Sequence, residues 1–301
     1  MYQSFISIWR NISNNIKGAL LVALGGLLLI MMAAIVKHLV QNLPAYQVLF
    51  VRFLAGFLII LPVVLRLGIK VFHTEKLHYH FARGFYGFMG NLLFFLALIH
   101  IALADTVTIQ FSRPLFIILI IALFLGEKVN TTRKMITVAG FIGIVMITKP
   151  FFGEFNPWVF SAVGGAFFAS LVVLTVKILT RTEHTVTIMF YFAAFTTIFS
   201  LIPAVMTWQT PTMLELILMI LAGAFGIVGQ GIFTHGIGLG ETSFVMPFDY
   251  LRIVYSFLFG IILFSEVPGV WSFFGTVIII ISSFIVIKLS FLLLIFKLLN
   301  Q

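Results

Sequence analysis

Gly84-Phe85-Tyr86-Gly87-Phe88-Met89-Gly90-Asn91 returns 139 residues later as Gly223-Ala224-Phe225-Gly226-Ile227-Val228-Gly229-Gln230. At the same offset Gly25-Gly26 falls on Gly164-Gly165, Phe94 on Phe233, Arg113 on Arg252, Glu127 on Glu266 and Lys149 on Lys288. Apolar matches are common by chance in a chain of this composition. Matched charges and a triplet of glycines at intervals of three are not, so the chain reads as a duplication.

The surroundings of these segments give the solvent. Of 301 residues 61% are apolar and 9% charged, against about 45–50% and about 25% in an ordinary soluble domain. Eighteen Lys and Arg with nine Asp and Glu cannot wet the surface of a 33.7 kDa particle. A bilayer core needs about 20 apolar residues per helix. Ten such runs are read, at 18–36, 45–65, 82–99, 105–125, 135–148, 157–178, 187–208, 213–235, 241–264 and 270–288. The first run follows Arg10 and Lys17 but carries no small-x-small cleavage site before Lys37, so a retained helix is expected. The fold expected is an all-α membrane protein, with a first five-helix repeat over 17–150, a second over 157–290 and an interfacial cytoplasmic tail over 291–301.

Five spans per repeat is an odd number, so the second copy enters the membrane from the opposite side and the repeats are inverted. With the N-terminus inside, the inner segments hold 13 basic residues, from Arg10 to Lys297, and the outer segments hold Lys37 and Lys149 alone. Positive charge is retained on the cytoplasmic side. Both termini are therefore expected in the cytoplasm, at the cell inner membrane. The same distribution explains the net charge of +9 as topology, and no nucleic-acid partner is expected. Inverted repeats recur in secondary transporters, whose sites lie near the midplane between the halves. The alternative is a non-transporting membrane scaffold or assembly protein.

A charge inside a span costs about 2.5–3.5 kcal/mol on insertion scales and usually faces the protein interior. Arg52, Arg113 and Arg252 meet this description. Asp249 precedes Arg252 by three residues, on one helix face, whereas Gln110 stands at the matching place before Arg113. One half thus carries an ion pair and the other an arginine beside an amide. Arg52, Asn91, Gln110, Phe111, Arg113, Gln230, Asp249, Tyr250 and Arg252 are the candidate substrate-binding or pathway residues, with arginine forking onto a carboxylate or phosphate. The bland reading pairs Asp249 with Arg252 and makes Arg113 a clamp on backbone carbonyls. Glu127 and Glu266 are candidate gate or interface residues. Gly84, Gly87, Gly90, Gly223, Gly226 and Gly229 are expected to pack helices closely. Pro114 and Pro247, beside the arginines, are expected to kink spans four and nine.

No His-Glu-x-x-His, Gly-x-Ser-x-Gly or Walker loop occurs, so no enzyme activity and no cofactor are expected. His73, His78 and His80 stand in one loop with Glu75 and without cysteine, and read as solvated residues, not as a metal site. The expected partners are a small-molecule substrate, the lipid bilayer, and a coupling proton or an exchanged solute.

Phe111-Ser112-Arg113-Pro114, then Leu125-Gly126-Glu127-Lys128, then Gly140-Phe141-Ile142-Gly143 resemble the drug/metabolite transporter superfamily, EamA type. The second half repeats the theme as Pro247-Phe248-Asp249-Tyr250-Leu251-Arg252 and Phe264-Ser265-Glu266-Val267-Pro268, with serine where the family usually has glycine. The resemblance spans Lys17 to Lys288. It implies a helical basket with spans three, four, eight and nine around a central cavity, and export or uptake of amino-acid-like metabolites. One branch, similar around Phe111–Pro114, comprises S-adenosylmethionine uptake carriers of intracellular bacteria. By that resemblance the substrate is a small polar or zwitterionic metabolite, its sulfonium held by aromatic rings such as Phe111 and Tyr250.

Overall fold

In a bilayer every backbone N–H and C=O must be bonded within its own segment or its neighbours, and the apolar runs accordingly form helices. The computed structural model describes residues 13–68, 73–124, 131–148, 156–180, 182–239 and 241–299. Five spans make the first repeat: α1 (Asn14–Leu39), α2 (Ala45–Leu67), α3 (Leu77–His100), α4 in two pieces (Leu103–Gln110 and Arg113–Phe124) and α5 (Thr131–Thr148). The second repeat follows as α6 (Val159–Leu179), α7 (Thr185–Met206), α8 (Met213–Leu239), α9 (Thr242–Val245, a 3₁₀ turn Met246–Tyr250, then Leu251–Phe264) and α10 (Val270–Leu299). Eight spans are long and apolar enough to cross a membrane among the described residues, and the shorter apolar stretches Met135–Ile147 and Val270–Ser282 complete the ten. α10 continues unbroken past residue 288 to Leu299.

Local chemistry sets several helix ends. The Ser13 hydroxyl accepts the Ile16 N–H at the start of α1. At α8 a capping box forms: Glu215 Oε2 accepts the Thr212 N–H at 2.8 Å, and Thr212 Oγ1 accepts the Glu215 N–H at 3.3 Å. Buried hydroxyls inside the spans, such as Thr106, Thr196, Ser200 and Thr276, donate to a carbonyl four residues back, so they need no water.

The packing obeys a pseudo-two-fold axis. α1 lies along α8, and its counterpart α6 lies along α3; α2 meets its own counterpart α7, and α5 meets α10. Each repeat's first helix is therefore seated against the other repeat's third, which is the arrangement inverted copies produce when interlocked. Glycines make these crossings possible. A Cβ built on Gly25 of α1 would stand 2.7 Å from Phe233 N and 2.8 Å from Gly229 O of α8. On the symmetry-related crossing, a Cβ on Gly165 would stand 3.2 Å from Gly90 O. Gly84 and Gly87 leave room for the rings of Phe195 and Phe192 on α7, while Gly223 and Gly226 admit the backbone and side chain of Arg52 on α2. All six glycines of the two rails are thus packing positions.

Gly25→Ala is expected to cost about 1–3 kcal/mol, the usual penalty of overpacking, because the atoms it meets are backbone and cannot rotate away. Gly231→Ala, where a Cβ meets nothing within 4 Å, is the control. Thermal midpoints of the two variants in detergent check the difference.

Spans four and nine differ from the expected kink. Continuous helices bent by proline are not what forms; each helix stops and restarts immediately before its arginine. At α4 the Phe111 and Ser112 N–H groups reach back only to the Thr108 and Ile109 carbonyls, and Arg113 opens the second piece. Pro114 then sits in a first turn, where its missing N–H has no helical partner to lose. At α9 the chain tightens into the 3₁₀ turn Met246–Tyr250 with Pro247 at its start, and the helix resumes at Leu251.

Candidate functional site

Between the halves lies a cavity of about 630 Å³, within the range that holds a metabolite-sized ligand. Its walls come from both repeats, and its polar lining includes Arg52, Arg83, Asn91, Gln110, Arg113, Gln230, Thr234 and Arg252, with Tyr86 and Thr180 beside them. Toward one end of the bundle the lining includes Arg83 near the start of α3, Thr180 after α6, Ile188 at the start of α7 and Ile237 at the end of α8. That end of the bundle also carries Arg66, Lys76 and Lys177, and is called the basic end below.

The break in α4 explains how Arg113 is held. Gln110 O, released from the helical ladder, accepts Arg113 Nε at 2.7 Å, and the Ser112 hydroxyl closes on Ile109 O at 2.6 Å. The guanidinium thus has one N–H on backbone while the group faces the cavity. The clamp and the lining role are both present in one side chain. Gln110 itself reaches Ala162 O on α6 at 3.4 Å.

On α9, Arg252 donates Nη2 to Asp249 Oδ2, and its Nε lies against Asp249 Oδ1, a two-point ion pair. The carboxylate is buried and does not line the cavity. Arg252 lies over the rings of Phe111, at 5.1 Å, and Phe233, at 5.2 Å. Phe111 in turn stacks on Tyr250 at 5.2 Å. Tyr250 stands behind that ring, its hydroxyl near Ile280 O, and is not part of the lining.

Arg52 reaches in from α2. Its Nη1 donates to Asn91 Oδ1 at 3.0 Å, and Asn91 Nδ2 donates to Gly87 O of its own helix. Phe53 and Phe95 flank the guanidinium at 4.8 and 5.5 Å. Gln230, which matches Asn91 in the repeat, bonds among the described residues within its own helix, to Thr234 Oγ1 at 3.3 Å, and stays exposed. Seven of the nine expected pathway residues therefore line one cavity; Asp249 and Tyr250 support it from behind.

Arg83 is the cavity residue that charge counting conceals, since at the inner edge of the run read at 82–99 it is counted with the basic residues that set the topology. It lies inside α3, donates Nη1 to Ile188 O at 2.7 Å and rests over Phe192 at 4.3 Å. His80, one turn earlier, is a correction as well. It is fully buried against Tyr191, with Nε2 3.9 Å from Glu183, whereas His73 and His78 are exposed. The α3 helix begins at Leu77, earlier than hydropathy indicated, and this turns His80 inward.

At the opposite end a separate, smaller cavity of about 290 Å³ is lined by Lys37, Gln41, His100, Phe264 and Glu266, and it shares no lining residue with the central one. Lys37, buried at the end of α1, donates Nζ to Leu98 O and Ile101 O at 3.1 and 2.7 Å and pairs with Glu266 Oε1 at 2.6 Å. Glu266 Oε2 accepts the Leu103 N–H at 2.8 Å. The lysine thus satisfies carbonyls at the end of α3 and the carboxylate satisfies an amide at the start of α4. Ser265, in the left-handed region with φ 53°, reverses the chain after α9 and turns Glu266 toward α1. Beside this network Gln47 and Gln209 exchange two hydrogen bonds, Nε2 to O at 2.7 Å and N–H to Oε1 at 2.9 Å. Buried Leu39, Leu43, Leu49, Leu98 and Leu103 fill the space around them. Glu127, the other candidate gate residue, lies outside the described residues.

Ten apolar helices in inverted halves, with a mainly apolar cavity between them that carries arginines and amides, define a membrane carrier of small metabolites. The profile of the EamA-like transporter family matches residues 16–149 and 156–288, and the chain belongs to that family. The S-adenosylmethionine uptake transporter of Rickettsia bellii is 29% identical over 252 residues, covering 83% of this chain and 86% of that protein. The riboflavin transporter of Vibrio cholerae is 29% identical over 272 residues, covering 89% and 91%. A protein of known crystal structure shares the fold with a TM-score of 0.60 and 20% identity, over 91% of this chain and 96% of the other. This chain is accordingly a multi-pass membrane transporter of a small metabolite, not an enzyme.

Proposed function

We propose that the protein is a secondary carrier of the cell inner membrane, with both termini cytoplasmic, moving a small polar, carboxylate-bearing metabolite by alternating access. The observation that carries this reading is the asymmetry of the central cavity, whose lining extends toward the basic end and is separated from the small cavity at the Lys37–Glu266 network. By the positive-inside rule the basic end is cytoplasmic, so the conformation faces inward. Glu266 then acts as part of the outer gate. A substrate carboxylate meets Arg113 and Gln110 at the α4 break, and Gln230 and Asn91 supply amide contacts.

S-adenosylmethionine, carried by the Rickettsia bellii relative, heads the solutes to test, with riboflavin next. Proton coupling through Asp249 is the less favoured mode, because Arg252 holds that carboxylate at two points; exchange against a second solute needs no such group. The test is counterflow in liposomes holding the purified chain. A labelled solute is expected to accumulate transiently against its unlabelled pool, and Asp249→Asn is expected to leave any dependence on an imposed pH gradient unchanged. Protein that is folded yet gives no counterflow with a broad metabolite panel overturns the carrier reading.

A further inference from the structure

Four guanidiniums, those of Arg52, Arg83, Arg113 and Arg252, line the cavity, and no Asp or Glu does among the described residues. Asp249 behind the wall neutralises Arg252. The cavity therefore presents a net charge of about three positive units to whatever enters, in surroundings of low dielectric where charge is poorly screened. Three of the four have their stems or faces against rings: Arg52 on Phe53 and Phe95, Arg83 on Phe192, Arg252 on Phe111 and Phe233.

These contacts matter for the sign of the substrate. Of the two rings expected to hold a substrate sulfonium, Phe111 is already against Arg252, and Tyr250 lies behind Phe111 outside the lining; Tyr86 and Phe94 are further rings of the lining. A net cation placed here would face the guanidiniums without a described carboxylate to pair with. A solute with two negative charges would face four guanidiniums, Arg83 nearest the basic end and Arg52, Arg113 and Arg252 in the same lining, which suits both attraction inward and bidentate binding.

We infer that the cavity selects small organic dianions, bearing two carboxylates or a phosphate, in preference to net cations or neutral solutes. This rests on the carrier reading and sharpens it by naming the substrate's charge class. The sharpest test keeps the wild-type chain and varies the probe. Thermal midpoints of the protein in nanodiscs are measured with succinate, its monoamide and its diamide, and with AMP against adenosine. S-adenosylmethionine and riboflavin are included at the same millimolar concentrations. In at least one of the two series apparent affinity is expected to fall at least tenfold for each negative charge removed. Which series responds separates carboxylate from phosphate recognition, and Arg52→Gln flattens the series that does. Flat or reversed responses in both series overturn the inference, as does stabilisation by S-adenosylmethionine or riboflavin without stabilisation by any anion. A chain that gives counterflow with either of those two and with no anion retains the carrier reading and loses this one.

Discussion

Arg113→Gln is expected to weaken substrate binding roughly ten- to a hundredfold. A hydrogen bond to a charged group contributes about 1.5–3 kcal/mol, and each 1.4 kcal/mol is about tenfold in affinity. Arg113 is placed to make such bonds because, among the described residues, its guanidinium is held only at Nε, by Gln110 O, while the group lines the cavity. Glutamine keeps an amide there but loses the charge and the fork. Lysine keeps the charge without the planar fork and is expected to restore only part of the affinity. If Arg113 were a clamp on the α4 break and nothing more, the glutamine variant would lower the thermal midpoint and leave the dissociation constant of the folded fraction unchanged. Titration and melting of the same preparation separate the two outcomes.

The second large effect is at the other end of the molecule. Glu266→Leu leaves Lys37 buried without its partner, and removing one member of a buried ion pair typically costs about 3–5 kcal/mol. The loss extends beyond the pair, because the Leu103 N–H also loses its acceptor. Lys37→Met alone is expected to be similarly costly. The double variant, Lys37→Met with Glu266→Leu, removes both charges together and is expected to recover most of the stability. Thermal midpoints of the three variants check this. For the gate role, the single variants are expected to increase labelling at the end of the bundle opposite the basic one. Equal labelling in wild type and variants would make the pair structural only.

The fold was readable from residues that are expensive or rare. An offset of 139 that matches Arg113 with Arg252 and one glycine triplet with another contains the inversion, since five spans separate the copies. The cavity was largely readable for the same reason: arginines and amides inside apolar runs must face the interior. Three features were hidden. The break at Phe111-Ser112 lies inside a single span, where the polar dip from Gln110 to Pro114 fits either a kink or a restart. His80 looks like a loop residue until the true start of α3 at Leu77 is known, and Arg83, at the edge of its run, is counted with the topology charges. Lys37 sits at the edge of its span, and its partner Glu266 is 229 residues away, a separation across which sequence alone states a cost but not a neighbour.

The central claim, that the arginine-lined cavity between the halves is the substrate's path, can be tested directly because the chain contains no cysteine. A single cysteine at Val176, an apolar lining position, is labelled with a membrane-impermeant maleimide in proteoliposomes. The account predicts labelling from the basic end that slows at least severalfold when a solute active in counterflow is present. Labelling that proceeds at the same rate with and without that solute would contradict it.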